Sequence, residues 1–517
     1  MFGRKAARNA LDGLFHGLKR GHGQVPMAAQ ERFPTADEIA ADAALRFNMR
    51  GNPDGKILLG LVGAEMKQGR SGQPFASGGQ FIGVADDRHV ITVAGSRAGK
   101  GRSLLINNLL TWPGSVLVID PKLDLATETA HYRATALRQN VHVLDPFGVA
   151  GPGCDSYRSN LDPLAVSLGT DADAAIDLAM LIADSLVVRA GREIDPHWND
   201  AAQQMTEAVV LHCLTCPRYE SRRTLRTVYE LLMLEVESVD DNPSRLEEEM
   251  VKNEAFGGVV CEGATAFYDK SDRERSSVLS TIRRHLHFLV YPKIGEVLSQ
   301  GNLDFARVQT EPTTIYAGVP ATKMSSCAGF LRLVLNLALA TFETSQLRRE
   351  YQYQAGRLPV LIIMDEFASL GRMERVEAAA GQMAGFGVKL WPVLQDLSQI
   401  KSLTSNWETF LGNAGVLTFF GNTDLSTLDW IEKRLGQTTV YSPSHSEPTY
   451  DAAISGGATG SGYSLTTHPL MTGAEIARTF CREDPFARQL VMLPRGPMIL
   501  QRAYYDQHEQ IRRLLGR

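Results

Sequence analysis

The stretch His89-Val90-Ile91-Thr92-Val93-Ala94-Gly95-Ser96-Arg97-Ala98-Gly99-Lys100-Gly101-Arg102-Ser103 passes from β-branched residues into a glycine-rich turn and a lysine. The helix-like Leu104 to Leu110 follows. Strand, turn, lysine and helix in that order read as a phosphate-binding loop. Backbone N–H groups of the turn point at phosphate oxygens, the helix N-terminus adds its positive dipole end, and the lysine neutralises the β- and γ-phosphates. The candidate nucleotide contacts are therefore Gly95, Ser96, Arg97, Ala98, Gly99, Lys100, Gly101 and Arg102. The match to the general pattern is imperfect. Ala94 holds the first glycine position, and Gly101 stands where a Ser or Thr hydroxyl usually binds Mg²⁺. Taken alone, the loop leaves an ordinary strand-to-helix turn open.

A second stretch bears on that choice. Pro359-Val360-Leu361-Ile362-Ile363-Met364-Asp365-Glu366 is an apolar strand ending in two acids. Asp365 is placed to hold Mg²⁺, directly or through water, and Glu366 to orient and activate a water for attack on the γ-phosphate. A strand running into an acidic helix cap is the plainer alternative, and a phosphate loop in the same chain weakens it. After Asp365 the pattern reads as a helix to about Ala384, a turn at Gly385-Phe386-Gly387, and the strand Val388 to Leu394 ending in Gln395-Asp396. Gln395, at the end of a strand beside the Asp-Glu strand, can reach the γ-phosphate and report its loss; a strand-end cap is the bland reading. Lys100 and Asp365 stand 265 residues apart. That is far more chain than one sheet needs, so a large insertion must separate the two halves of the site.

Composition sets the outer limits. At 517 residues, two to four domains are expected. With 44% hydrophobic and 21% charged residues, neither a disordered nor a fibrous chain fits. Lys and Arg number 53 against 58 for Asp and Glu. This excludes a uniformly basic nucleic-acid binder and leaves a local basic patch or a lined pore. Six cysteines are too few for a disulfide framework and point to a reducing compartment. No membrane span or signal peptide is read: Ile57 to Ala64 is too short, and Phe330 to Phe342 carries Arg332 and Asn336, which makes it an amphipathic core helix.

Along the chain, residues 1–50 read as a basic amphipathic extension and linker. Arg4, Lys5, Arg8, Lys19 and Arg20 accompany Leu11, Leu14, Phe15 and Leu18 at helical spacing. Such a helix can lie on an anionic membrane surface or simply dock at a terminus. Residues 51–165 hold the first part of a nucleotide-binding domain, with strands at His89 to Val93 and Ser115 to Ile119. Residues 166–308 form an inserted all-α domain. Residues 309–517 hold the second part, with strands at Thr313 to Ala317, Pro359 to Met364, Val388 to Leu394 and Val416 to Phe420. Near-continuous apolar strands imply a mostly parallel sheet covered on both faces, hence an α/β fold interrupted by helices. Ser455 to Gly462 reads as a flexible loop. Cys213 and Cys216, next to His212, have CxxC spacing without the further ligands a zinc site needs and read as structural cysteines. Arg222, Arg223, Arg226, Arg283 and Arg284 are small basic groups for which solvated faces are the plainer account.

The motifs together resemble the type IV secretion coupling proteins of the TraG/TraD class. Those carrying the resemblance are the A-x-x-R-A-G-K-G loop, Leu109-Leu110-Thr111-Trp112-Pro113-Gly114-Ser115, Asp120-Pro121-Lys122, Asn160-Leu161-Asp162-Pro163-Leu164, and His197-Trp198-Asn199-Asp200-Ala201-Ala202. Glu274-Arg275-Ser276-Ser277-Val278-Leu279-Ser280-Thr281, Asp365-Glu366-Phe367-Ala368-Ser369-Leu370-Gly371-Arg372 and Gln395-Asp396-Leu397-Ser398-Gln399 complete the set, which covers about residues 50 to 510. The departures at Ala94 and Gly101 are usual in that class.

The resemblance implies a RecA-like P-loop ATPase domain with an inserted helical domain that selects substrate. By motif position, Lys100 binds phosphate, Asp365 holds Mg²⁺, Glu366 is the catalytic base and Gln395 the γ-phosphate sensor, with ATP and Mg²⁺ as cofactors. It implies a ring, a hexamer, with sites between subunits and a trans-acting arginine. Some relatives carry that arginine where this chain has Met383-Ala384, which leaves Arg372, Arg375 and Arg434 as candidates. The implied partners are single- or double-stranded DNA, a relaxase nucleoprotein and the channel components. Most relatives carry N-terminal transmembrane helices, and none is read here. The expectation is a cytoplasmic protein at the inner face of the bacterial inner membrane, attached peripherally or through a membrane partner. Two other functions remain at this point: a protein-substrate receptor whose ATP site controls assembly, and a soluble DNA pump of the FtsK or HerA kind.

Overall fold

The computed structural model describes residues 32–69, 74–168, 172–188, 197–236, 243–347, 358–382, 386–446 and 460–516. The basic amphipathic helix expected at Met1 to Arg20 lies outside the described residues. Two compact units are present, residues 33–432 with 471–517, and residues 1–32 with 433–470.

In the larger unit, thirteen strands occur in chain order: β1 Ile57–Val62, β2 Glu65–Gln68, β3 Pro74–Ser77, β4 Gln80–Val84, β5 His89–Ala94, β6 Val116–Ile119, β7 Asn140–Leu144, β8 Thr313–Ala317, β9 Val360–Met364, β10 Val388–Leu394, β11 Ala414–Phe420, and, after two strands of the smaller unit, β14 Arg488–Leu493 and β15 Gly496–Gln501. Eleven of them form one sheet in the order β4-β1-β15-β14-β11-β5-β10-β9-β6-β8-β7. From β11 to β7 every pairing is parallel. From β4 to β11 every pairing is antiparallel. The sheet is thus mostly parallel, as the apolar runs imply. Strands β5, β6, β9 and β10 are buried at every position, because helices cover both faces of the parallel part.

Between β7 and β8 the described residues contain helices and no strand. The longest are Ala172–Leu186, His197–Thr215 and Asp272–Leu286. The helix Met324–Leu347 then joins this region to the sheet, and Asn336 on it donates to Ser185 Oγ at 2.9 Å. By length and composition Ala321–Thr344 could cross a membrane, but 83% of its apolar window is buried inside the protein. It is a core helix, as Arg332 and Asn336 suggest.

Three local expectations are corrected. The linker does not run to residue 50: Thr35 caps a short helix, Ala36–Ala41, and Ile39, Leu45 and Phe47 are buried against the sheet. Their apolar side chains make this segment part of the core. The helix expected from Asp365 to Ala384 is broken. A turn leads to a 3₁₀ turn at Phe367–Leu370, Gly371 takes φ 75°, and a regular helix begins only at Glu374. A positive φ ends a helix, and glycine adopts it without steric cost. Of the loop expected at Ser455 to Gly462, residues 455–459 lie outside the described residues. Gly460 to Gly462 belong to the smaller unit's antiparallel ribbon, β12 Gln437–Ser446 with β13 Gly460–Pro469.

Candidate functional site

β5 ends at Ala94 and the chain turns sharply. Gly95 N–H donates to Phe420 O at 3.1 Å, Ala98 N–H to Gly95 O at 3.1 Å, and Arg97 and Gly99 take φ 56° and 95°. A Cβ on Gly95 would lie 1.9 Å from Gly421 O, a backbone atom that cannot step aside. This close approach to the end of β11 explains the glycine. After Lys100 the chain enters one π-helical turn, Gly101–Leu105, and then the helix Ile106–Thr111. The loop therefore lies at the C-terminal edge of the parallel strands, beside the strand where the sheet order turns. Open α/β sheets bind ligands there.

β9 reaches the same edge. Lys100 Nζ lies 2.9 Å from Asp365 Oδ1, so residues 265 positions apart in the chain meet. Glu366 follows in a left-handed conformation, φ 59° and ψ 47°. Such a backbone costs on the order of 1–3 kcal/mol for a non-glycine residue and is concentrated at functional positions. Its carbonyl accepts from both Ser369 N–H, 2.8 Å, and Ser369 Oγ, 2.7 Å. Gln395 ends β10, the strand between β5 and β9. Its N–H donates to Gln399 Oε1 at 2.9 Å and its carbonyl accepts from Asn422 Nδ2 at 3.1 Å. With Gly95, Ser96, Asn422 and Arg482 it lines a cavity of about 410 Å³. Lys100, Asp365, Glu366 and Gln395 are thus gathered at one edge.

Asp120, at the tip of β6, is 1% exposed. Burial first, then the neighbouring Asp365 charge, push its carboxyl up to about 7 against hydrogen bonds from Leu125 and Ala126 N–H. That carboxylate is committed to the start of the helix Asp124–Thr135. The donor set suits Mg²⁺, a hard cation that keeps several waters and takes one or two carboxylates plus substrate phosphates. Asp365 offers a carboxylate, Gly101 offers no hydroxyl, and the Ser103 hydroxyl is occupied with Gly99 O at 2.9 Å.

Other residues around the loop carry no motif. Arg502, 0% exposed, donates to Ala98 O at 2.8 Å, Ala487 O at 3.3 Å and Cys481 O at 3.4 Å, and its guanidinium lies over the Phe420 ring. Arg102 turns away from the loop to Asp506, 2.6 Å, and over the Tyr504 ring. Arg102, expected among the nucleotide contacts, is instead engaged here, whereas Arg502 gives no sequence signal.

The remaining candidates are dispersed. Arg372 faces Glu374 and Glu377, and Arg375 pairs with Glu343 at 3.1 Å. Arg434 is exposed in the smaller unit, and Met383 and Ala384 lie outside the described residues. Arg222 and Arg226 both face Glu230. Cys213 is buried, which pushes its thiol up to about 12. His212, Cys216 and Glu249 bring ligating atoms within 4.8 Å of one another. The Asn253 amide, oriented by Ala255 N–H on its oxygen, donates to His212 Nδ1 at 3.0 Å, which leaves the ring hydrogen on Nε2, facing Glu249. Glu249 already accepts from Arg218 and the Tyr219 hydroxyl. The cluster is a hydrogen-bonded structural group.

The model of the family "Type IV secretory system Conjugative DNA transfer" matches residues 53–512. A conjugal transfer protein TraG of Escherichia coli is 25% identical over 418 residues, covering 77% of this chain and 62% of that protein. Protein VirD4 of Rhizobium rhizogenes is 22% identical over 375 residues, covering 71% and 52%. The chain thus spans about three fifths or less of the length of these relatives. Among solved structures, the bacterial conjugative coupling protein TrwBdeltaN70 superposes with a TM-score of 0.62 at 15% identity, covering 94% of this chain and 96% of that one. TrwB in complex with a non-hydrolysable ATP analogue gives 0.58 at 14% identity, covering 93% and 98%. At these identities the likeness establishes the α/β fold.

Proposed function

Because the chain belongs to the family of type IV secretory system conjugative DNA transfer proteins, we propose that it is an ATP-driven coupling protein that recruits conjugative DNA, as a relaxase nucleoprotein, and moves it to a type IV secretion channel. The single observation that carries this reading is the meeting of Lys100 with Asp365, a phosphate-binding cation against a metal-binding carboxylate, with Glu366 next in the chain.

In this reading Lys100 exchanges Asp365 for the β- and γ-phosphates of ATP, while the N–H groups of Ser96, Arg97, Gly99 and Lys100 cradle them. Asp365 would hold Mg²⁺, which when bound neutralises phosphate charge. Glu366 orients the attacking water and accepts its proton as the new Pγ–O bond forms and the bond to the ADP oxygen breaks. Gln395, fixed through its backbone by Gln399 and Asn422, contacts the γ-phosphate and reports its departure to β10. Most of the acceleration comes from positioning and charge stabilisation. Hexamer formation, peripheral attachment at the inner membrane face and contacts with channel components belong to the same proposal. DNA is gripped through its phosphates, so its binding weakens steeply with salt.

The test is ATP turnover against added single- and double-stranded DNA at moderate salt, with Glu366→Gln as the inactive control. Stimulation of several-fold by DNA, absent in the control, is the expected result. Turnover that stays flat across all DNA overturns the DNA motor and favours a receptor for protein substrates.

A further inference from the structure

The lysine of the Asp120-Pro121-Lys122 motif has no part in the site as described so far, yet it reaches one of the two acids. β6 and β9 are paired neighbours in register, Ile119 beside Met364, so the residues that follow each strand emerge side by side. Lys122 Nζ lies 3.9 Å from Glu366 Oε1, with the two side chains 55% and 31% exposed. Among the described residues Glu366 is the one carboxylate within ion-pair distance of Lys122.

Both backbones are fixed. On the β6 side, Asp120 N–H donates to Ala317 O at 2.9 Å and Leu123 N–H to Asp120 O at 3.0 Å. Leu123 takes φ 54°, and the Asp120 carboxylate is held by Leu125 and Ala126 N–H. Gly318 packs so closely that a Cβ there would lie 2.3 Å from Asp120 O. On the β9 side, Glu366 is locked left-handed, with its carbonyl gripped twice by Ser369. Two rigid turns thus present one flexible cation to one flexible anion. A pair this exposed adds little to stability; what it supplies is direction.

Each acid therefore has its own lysine, and the two lysines sit on opposite sides of β9. Lys100 comes from the loop after β5, on the β10 side, and must leave Asp365 when phosphates arrive. Lys122 comes from the β6 side and has no phosphate loop beside it. We propose that Lys122 is a positioning residue for Glu366, keeping its carboxylate aimed for water orientation while Lys100 changes partners. The proposal rests on the reading of Glu366 as the base of an ATPase.

The experiment compares wild type, Lys122→Ala, Lys122→Arg, Glu366→Gln and the Lys122→Ala/Glu366→Gln double variant, measuring kcat and KM for ATP together with thermal midpoint. Lys122→Ala is expected to lower kcat about tenfold, the order of a misaligned general base, with KM and midpoint unchanged. Lys122→Arg restores at least about half of the wild-type rate, since it keeps the charge. The double variant is no slower than Glu366→Gln, as required of a residue acting through another. A Lys122→Ala kcat within twofold of wild type, a change confined to KM, or an arginine variant as slow as the alanine one overturns the proposal. Equal turnover in wild type and Glu366→Gln overturns the ATPase reading itself, and this proposal with it.

Discussion

Arg502 is a cation with no exposed surface, and among the described residues its partners are backbone carbonyls and aromatic rings. By drawing Ala98 O toward itself it leaves the loop's N–H groups to face a phosphate. Removing the guanidinium strands several buried acceptors, each worth about 1–3 kcal/mol. Arg502→Met should therefore lower the denaturant midpoint and also weaken ATP binding, measured by equilibrium titration on the folded variant. Unchanged ATP affinity would limit Arg502 to the fold. No sequence pattern marks this residue, since it is a single arginine after an apolar strand. Its role arises because β15 delivers it beneath a loop 404 positions earlier. The gathering of Lys100, Asp365, Glu366 and Gln395 at one sheet edge is legible because each follows an apolar strand or a glycine turn.

Elements differ in the same way. The parallel strands β5, β6, β8, β9, β10 and β11 are visible as apolar runs, because burial on both faces demands them. The antiparallel strands β14 and β15 are less visible: β15 alternates partly exposed residues with buried ones, and their place is set by partners far away in sequence. β1 is buried throughout but short, and so brief an apolar run does not by itself distinguish a strand from a core helix segment. The β5–β10 pairing carries a titratable group. His89 Nδ1 accepts from Leu390 N–H at 3.1 Å. Burial lowers its pKa from 6.5 to about 4, against backbone hydrogen bonds to Ala379 and Ala380. The unfolded chain takes up this proton first as pH falls, so stability is complete above about pH 6.5 and is lost toward pH 4, by about 3 kcal/mol. Denaturant titrations of wild type and His89→Gln across pH 4–7 should show a shallower slope in the variant. Parallel slopes would assign the acid sensitivity to other groups.

At the scale of the molecule, the phosphate loop and the helix after it are held by segments that come far later in the sequence. Phe420 O accepts from Gly95, Arg102 O accepts from Tyr505 N–H at 3.0 Å, and Asn107 Nδ2 donates to Ala503 O. Nucleotide bound at the loop should therefore protect residues 496–506 as well as 95–103. Amide exchange at a nucleotide concentration about 100 times Kd should slow by about a hundredfold wherever opening requires release of the ligand. Protection confined to residues 95–103 would show that the C-terminal segment moves independently. The hairpin of β14 and β15 also fills the interior of the sheet, between β1 near one end of the sequence and β11. Until that hairpin has been made, the sheet has two unfinished edges, at β1 and at β11. A chain stopped before residue 488 carries that wound permanently, with a split sheet and without the Arg502, Ala503 and Tyr505 contacts that hold the loop and the helix after it.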